Sequence, residues 1–190
     1  IRDLVRSRGL GDVYKRQCKD SPTPRPDVYF RLSFPAHEYR LYSPEECPYM
    51  FEFPVYSTIT VDDDFEYQPC WKNIEMKQYK ANVHITLKEI DNNLDSLLDD
   101  SHTLIYKHTI KADAIDAHDY VDEDLRVFAT IFYIAGNAAS PAQFHITDSV
   151  RYFFRGSLYF EVAPNSDSLA PAIDFLIDDV IHLIETFSWK

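Results

Sequence analysis

Apolar and polar residues alternate along several segments of the chain, and this alternation predicts β-strands. In residues 79–88, one predicted face is apolar and the other carries lysine, asparagine, histidine and threonine. In residues 151–162, Phe154 and Leu158 share one face while Arg155 and Ser157 share the other. A period of two residues is that of a strand with one buried face. Both segments are therefore predicted to be half-buried strands.

Two further strands are predicted between these segments. Residues 127–134 are apolar almost throughout, which is typical of a central strand covered on both faces. Residues 143–147 follow as a short strand, so that residues 127–162 are expected to form a three-stranded meander. The intervening residues 110–124 are acidic and weakly patterned, and we interpret them as a loop with a helical turn.

The first third of the chain contains shorter strand-like runs. Residues 28–34 alternate, and residues 38–42, 48–55 and 57–62 are rich in aromatic or β-branched side chains. Proline interrupts these runs at positions 44, 48 and 54. Because proline cannot donate a backbone hydrogen bond, this density of prolines predicts edge strands and loops.

Two helices are predicted from apolar residues at helical spacing. The first begins after a cap at Asp91 or Asn92 and has an apolar stripe at positions 94, 97, 98 and 105. The second occupies the end of the chain, with Asp167 or Ser168 as its cap and Pro171 in its first turn, where a missing N–H is harmless. Its stripe faces the core, and its acidic residues are expected to point outward: Asp174, Asp178, Asp179 and Glu185.

This order of elements predicts an α+β domain over residues 27–190, with a mainly antiparallel sheet flanked by helices. The order is similar to the α/β/α sandwich of the PsbP and Mog1 proteins, a likeness of fold that carries no function.

Residues 1–26 are expected to lie outside that domain. Residues 1–17 resemble an adapter-derived, non-native segment, the alternative being a natural basic leader. Cys18 then heads a polar, proline-rich tether over residues 19–26, which is where a bacterial lipoprotein carries its lipid; the alternative is a chance free cysteine. The whole chain has a net charge of −12, which argues against binding to nucleic acid or to anionic lipid heads.

Cys47 and Cys70 form an even pair. Outside the cytoplasm they can form one disulfide, and otherwise they are two buried thiols; the sequence does not decide between these. There is no C-x-x-C redox motif and no zinc-binding pattern, so no metal and no cofactor are expected.

Polar residues gather around the predicted late strands and the start of the last helix. Asn137, Asp148, Arg155, Asn165 and Asp167 are candidates for a partner or ligand surface. The simpler interpretation is turn chemistry, since Asn and Asp stabilise turns through their own backbone contacts. Arg155 is the exception because it lies on a strand, where it is expected either to pair with Asp148 or to mark a recognition surface.

Catalysis finds little support in the sequence. Ser149, His145 and Asp148 supply the residue types of a hydrolase triad, but they are crowded into one segment and no G-x-S-x-G elbow is present. The seven histidines form no H-E-x-x-H motif, and the acidic run near His118 lacks EF-hand spacing. We therefore expect no enzyme activity.

Several short motifs, taken in order, resemble the gliding-motility lipoprotein GldD family of the Bacteroidetes. In chain order, these motifs are Cys47-Pro48-Tyr49, Phe51-Glu52-Phe53-Pro54, Cys70-Trp71, Tyr106-Lys107-His108, Gly136 to Phe144, Thr147-Asp148-Ser149, Phe154 to Phe160, Pro164 to Leu169 and Glu185 to Lys190. The resemblance covers residues 18–190, although the lipoprotein signal itself is missing. It implies a periplasm-facing lipoprotein of the cell envelope, with a role in gliding and linked type IX secretion and with partners among other gliding proteins.

Two functional hypotheses follow. The first is a non-catalytic assembly or stability component, anchored at Cys18 and binding proteins through residues 27–190. The second is a periplasmic module that binds a small ligand or the cell wall. Aromatic residues make up 15% of the chain, and exposed ones such as Trp71 or Tyr159 are candidates for stacking on sugars.

Overall fold

The computed structural model describes residues 33–61, 68–107, 111–163 and 165–190. The strands are β1 (Tyr39–Tyr42), β2 (Tyr49–Pro54), β3 (Thr58–Thr60), β4 (Lys72–Met76), β5 (Ala81–Glu89), β6 (Ala112–Asp122), β7 (Val127–Gly136), β8 (Ala142–Thr147), β9 (Tyr152–Phe160) and β10 (Ser188–Trp189). The helices are α1 (Leu94–Tyr106) and α2 (Ser166–Glu185), and a short 3₁₀ turn spans Lys77–Tyr79. The predicted strand over residues 28–34 lies largely outside the described residues.

The strands form two antiparallel sheets. The larger has seven strands in the order β3-β4-β5-β9-β8-β7-β6, and the smaller has three in the order β1-β2-β10. The α+β prediction with a mainly antiparallel sheet is therefore confirmed. The predicted edge position is wrong for β2, because β2 lies between β1 and β10. Pro48 and Pro54 stand just before it and at its end, where the ladder loses little from a missing N–H.

The main core lies between one face of the seven-stranded sheet, strand β2 and helix α2. Phe51, Phe154 and Leu176 are fully buried there, and Phe154 packs edge-on against Phe187 with ring centroids 5.0 Å apart. Burying an aromatic or aliphatic side chain of this size stabilises a fold by about 1.5–3 kcal/mol. The alternation of β5 and β9 thus decides which residues enter this core.

Helix α1 covers part of the opposite face of the sheet. Its Ile105 packs with Phe132 and Ile134 of β7 in a second, smaller apolar cluster. The helix begins one or two residues later than predicted, with Asn93 at its N-cap. Because α1 covers only part of this face, the polar side chains of β4, β5 and β9 have an open groove above them.

Residues 112–122 form strand β6, so the prediction of a loop with a helical turn over residues 110–124 is wrong. The strand pairs with β7 from Ala114 to Asp122 with no break in register. Aspartate disfavours strands locally, but pairing with a long apolar neighbour outweighs that preference. An acidic edge strand also resists pairing with another chain.

Helix α2 differs from its prediction in three respects. Asn165 is the N-cap, and its side chain accepts a hydrogen bond from the N–H of Ser168. Pro171 consequently lies inside the helix rather than in its first turn. Asp179 does not point outward: only 4% of its surface is exposed.

Candidate functional site

The register of β4, β5, β8 and β9 assembles polar side chains on the sheet face opposite α2. Arg155 of β9 lies between His145 of β8 and Thr86 of β5. Two residues further along β9, Ser157 lies between Gln143 and His84. Period-two alternation places all six on the same face, since Phe154 and Leu158 are buried on the other. Two adjacent rows of polar residues result.

The open part of this face is a cavity of about 340 Å³, which we call the Arg155 groove. His84 is held at its floor by a 2.7 Å hydrogen bond between its Nδ1 and Asn73 Oδ1. A second cavity of about 210 Å³, beside α1, shares Thr86 and Arg155 with the groove. The residues that line the groove are Trp71, Lys72, Asn73, His84, Ile85, Thr86, Arg155, Ser157 and Tyr159.

Arg155 is half-buried, and its hydrogen-bond acceptors are the side chains of a glutamine and a serine. Its Nη2 donates to Gln143 Oε1 at 2.9 Å and to Ser157 Oγ at 3.4 Å. Within the described part of the chain, no carboxylate lies within 4.0 Å of its guanidinium. Burial lowers the pKa of Arg155, but an arginine remains protonated in a protein. The groove therefore contains a positive charge without a carboxylate beside it.

Lys72, the other cation that lines the groove, has a different environment. Its Nζ lies 3.6 Å from Glu46 Oε1, so its charge is compensated within the protein. Uncompensated charge in the groove is thus concentrated at Arg155.

Among the described residues, three buried polar atoms around Arg155 have no hydrogen-bond partner: Arg155 Nε, Gln143 Nε2 and His145 Nδ1. Burial, with smaller contributions from His102 and Arg155, lowers the pKa of His145 to about 4. His145 is therefore neutral at pH 7 and adds no charge to the site. Buried polar atoms without partners cost free energy, so this cluster is not explained by stability alone.

The prediction that Arg155 pairs with Asp148 is wrong. Asp148 lies in the turn between β8 and β9, where its Oδ1 accepts hydrogen bonds from the N–H groups of Val150, Arg151 and Tyr152. Its Oδ2 contacts Arg151 Nε at 3.2 Å. Burial raises the pKa of Asp148, but these hydrogen bonds together lower the pKa by more, so the net shift is downward. Asp148 stabilises a turn, and Arg155 projects from the middle of a strand.

The five candidate surface residues do not converge. Asn137 lies in the turn between β7 and β8, whereas Asp148 lies at the other end of β8. Asn165 caps α2, Asp167 lies in the first turn of that helix, and Arg155 is mid-strand. Only Arg155 lines the groove. Three polar residues accompany Arg155: Gln143, His84 and Ser157. They become neighbours through the pairing register of β5, β8 and β9, which could not be predicted from the sequence.

A disulfide joins Cys47 and Cys70, whose Cα atoms are 5.5 Å apart. It links the loop before β2 to the turn before β4, and Trp71 follows directly. The disulfide therefore fixes the backbone beside one wall of the groove.

A second polar cluster, which we call the Asp179 clasp, lies on the α2 side of the domain. Asp179 Oδ1 accepts hydrogen bonds from Tyr39 Oη at 3.0 Å and interacts with His37 Nδ1 at 2.8 Å. Its Oδ2 accepts from the hydroxyl of Tyr56. Burial first, and then Asp179, raises the pKa of both tyrosines, so both donate as neutral phenols.

Two negative findings concern the described ranges. No group of three His, Cys, Asp or Glu side chains is placed there to hold a metal ion. Neither helix in those ranges has the length and apolar character needed to cross a membrane.

Comparison with known proteins places the whole domain in context. A family model described as "Gliding motility lipoprotein GldD" matches residues 19–189. Among solved structures, the chain is similar to the solution structure of cyanobacterial PsbP (CyanoP) from Synechocystis sp. PCC 6803, at 11% identity and a TM-score of 0.48. That alignment covers 80% of this chain and 92% of the other. A comparison with curated proteins finds no match.

Proposed function

The chain belongs to the gliding motility lipoprotein GldD family, because the family model spans residues 19–189, and from this premise we propose a non-catalytic docking role. The protein acts as an assembly or stability component of the gliding apparatus and of the type IX secretion linked to it. It is anchored in the cell envelope by a lipid on Cys18 and faces the periplasm. Its partners are other envelope proteins of the same machinery.

The site chemistry favours docking over catalysis. A nucleophile needs a base within hydrogen-bond reach and a group that orients the base. His145 is neutral and buried, and its Nδ1 has no partner that would orient it. The carboxylate of Asp148 is occupied by three backbone N–H groups of its own turn. These residues are accounted for by turn structure and packing.

Arg155 at the groove is the observation that carries the docking proposal. A half-buried cation without a carboxylate nearby attracts an acceptor group from outside the domain. Arginine is also enriched among the residues that dominate protein interfaces. The chain has a net charge of −12, and a cation without a carboxylate partner in the groove offers an acidic partner group a place to dock.

The test is cross-linking in intact cells that produce the full protein with its native signal and a C-terminal tag. Arg155→Gln is compared with Arg151→Gln, which removes an arginine from an exposed position only four residues away. We expect gliding and secretion components to co-purify with the wild-type protein and with Arg151→Gln, and to be lost with Arg155→Gln. Equal recovery from both variants would refute docking through the groove.

A second candidate function is a small-ligand or cell-wall-binding module. The observation that favours it is the placement of Trp71 and Tyr159 in the walls of the same groove. Aromatic walls with a few polar groups are typical of ligand sites. Retention of glycan fragments or a small molecule on the purified protein, with no protein partner, would favour this alternative.

A further inference from the structure

We propose that the Arg155 groove binds a carboxylate group attached to a flat or ring-shaped moiety. The proposal deepens the docking role and rests on it for biological meaning, but the chemistry of the groove is testable separately. Two features carry it: an arginine that has no carboxylate partner among the described residues, and two aromatic side chains that line the same groove.

The first step is the charge of Arg155. Charged side chains that are taken out of water are normally paired. The neighbouring rows place Gln143, Ser157, His84 and Thr86 around Arg155, and none of these side chains is a carboxylate. Lys72 shows the usual arrangement in the same cavity, since it has Glu46. Of the two cations that line the groove, only Arg155 therefore lacks a carboxylate partner among the described residues.

The second step is the balance of donors and acceptors. Gln143 uses its amide oxygen to accept from Arg155, which leaves Gln143 Nε2 as a donor without a partner. Arg155 Nε is a further donor without a partner. A ligand whose head carries only acceptor oxygens is the chemical match for such a set of donors.

The third step selects a carboxylate over a phosphate. The planar guanidinium fork matches a carboxylate in a two-bond arrangement. A phosphate monoester carries close to two negative charges at pH 7, whereas the groove offers one uncompensated cation in a chain of net charge −12. A single negative charge is the better match.

The fourth step concerns the rest of the ligand. Trp71 lies near one end of the groove, and its ring N–H donates to Leu87 O at 3.0 Å, which fixes the indole. Tyr159 packs edge-on against His84 with ring centroids 5.4 Å apart. Fixed aromatic surfaces beside an arginine suit a sugar acid or an aromatic or peptide carboxylate. The two sources, a free sugar acid and an acidic residue of a protein, share this chemistry.

The experiment titrates the purified full chain with four probes: D-glucuronate, D-glucose, inorganic phosphate and a capped peptide containing a single glutamate next to a tyrosine. Binding is followed by NMR of the arginine Nε–H groups and by the ligand-induced rise in melting temperature. We expect the Arg155 resonance to shift with glucuronate or with the peptide, and to remain unchanged with glucose. A stronger response to phosphate than to both carboxylates, or no response to either carboxylate, would overturn the proposal.

The variant pair separates binding from structural support. Arg155→Met keeps the side-chain length and removes the charge, and Arg151→Met is the matched control. We expect Arg155→Met to lose at least tenfold in affinity for the carboxylate while its melting temperature without ligand stays equal to or above that of the wild type. A large drop in that melting temperature, with the affinity of the refolded variant intact, would show that Arg155 is structural only.

The same variants distinguish this inference from the proposed function. If Arg155→Met loses carboxylate binding but cells still glide and secrete normally, the binding site stands and docking through it fails. If cells that produce Arg155→Met lose gliding, and no carboxylate probe binds the wild-type protein, the docking role stands and the carboxylate assignment fails. Response to glucuronate alone or to the peptide alone identifies the source.

Discussion

The Asp179 clasp makes the sharpest prediction about stability, because one buried carboxylate receives three side-chain partners. His37, Tyr39 and Tyr56 all contact Asp179, which is 4% exposed. A hydrogen bond to a charged group contributes roughly 1.5–3 kcal/mol to stability. The three contributions do not simply add, because the two tyrosines and His37 are only partly buried and can bond to water when Asp179 is removed. We expect Asp179→Ala to lower the free energy of unfolding by about 3 kcal/mol.

The assay is urea unfolding of the purified chain, monitored by tryptophan fluorescence and analysed by linear extrapolation. Asp178→Ala is the matched control, since the adjacent carboxylate is exposed and should change stability by less than about 0.5 kcal/mol. A double-mutant cycle between Asp179→Ala and Tyr56→Phe should give a coupling of about 1–2 kcal/mol. If Asp179→Ala is no more destabilising than Asp178→Ala, the clasp does not stabilise the fold and the reasoning is wrong.

Three other predictions concern separate parts of the molecule. Gly156→Ala should destabilise the domain by about 1–3 kcal/mol, because its new Cβ would lie 2.2 Å from Cζ of the Phe144 ring; a neutral result in urea unfolding would contradict this packing. His145 binds a proton at about pH 6.5 when unfolded but only at about pH 4 when folded. The free energy of unfolding should therefore fall by roughly 3 kcal/mol as pH drops from 6.5 to 4, and His145→Gln should remove about one proton from that dependence. An NMR titration that places His145 near its ordinary pKa would refute it. Reducing the Cys47–Cys70 disulfide, which closes a separation of 23 residues, should cost about 3 kcal/mol, and Cys47→Ser should then be insensitive to reductant.

The strands with regular alternation could be predicted from the sequence, and β6 could not. In β5 and β9, the apolar residue types recur at every second position, so local pattern and tertiary burial agree. In β6, aspartates occur throughout and the strand is held by its pairing with β7, including Asp119 Oδ1, which accepts from Thr130 Oγ1 at 2.8 Å. That stabilisation comes from β7, so the residues of β6 themselves carry no sequence pattern that predicts a strand.

Asp179 was wrongly predicted to be exposed for a different reason: its residue type was given more weight than its position in the helix. Helical spacing places it three residues after Leu176 and four before Leu183, both fully buried, so it lies on the apolar stripe. An aspartate there must be solvated by protein donors, and the donors come from positions 37, 39 and 56. The position in the stripe was a usable signal, but the partners are more than 120 residues away.

The environment of Arg155 required the three-dimensional register. Its strand and face follow from alternation, yet the absence of a carboxylate depends on which residues of β8 and β5 stand beside it. The expected partner, Asp148, is seven residues away in sequence but belongs to the turn between β8 and β9. A shift of the pairing by one residue would have exchanged the polar row for core residues. The groove is thus a property of the sheet rather than of any motif.

The clasp and the groove occupy opposite faces of the seven-stranded sheet, and this arrangement allows a test of whether the two faces are coupled. At the start of the described residues, Phe34 stacks on Phe175 of α2 and His37 contacts Asp179, so these two residues pack on the α2 face. The Arg155 groove opens on the other face, beside α1. If this division of faces serves docking, loosening the clasp with Asp179→Ala should reduce the fraction of folded protein without changing the affinity of the folded groove for a carboxylate, and a matching loss of affinity per folded molecule would show that the two faces are coupled.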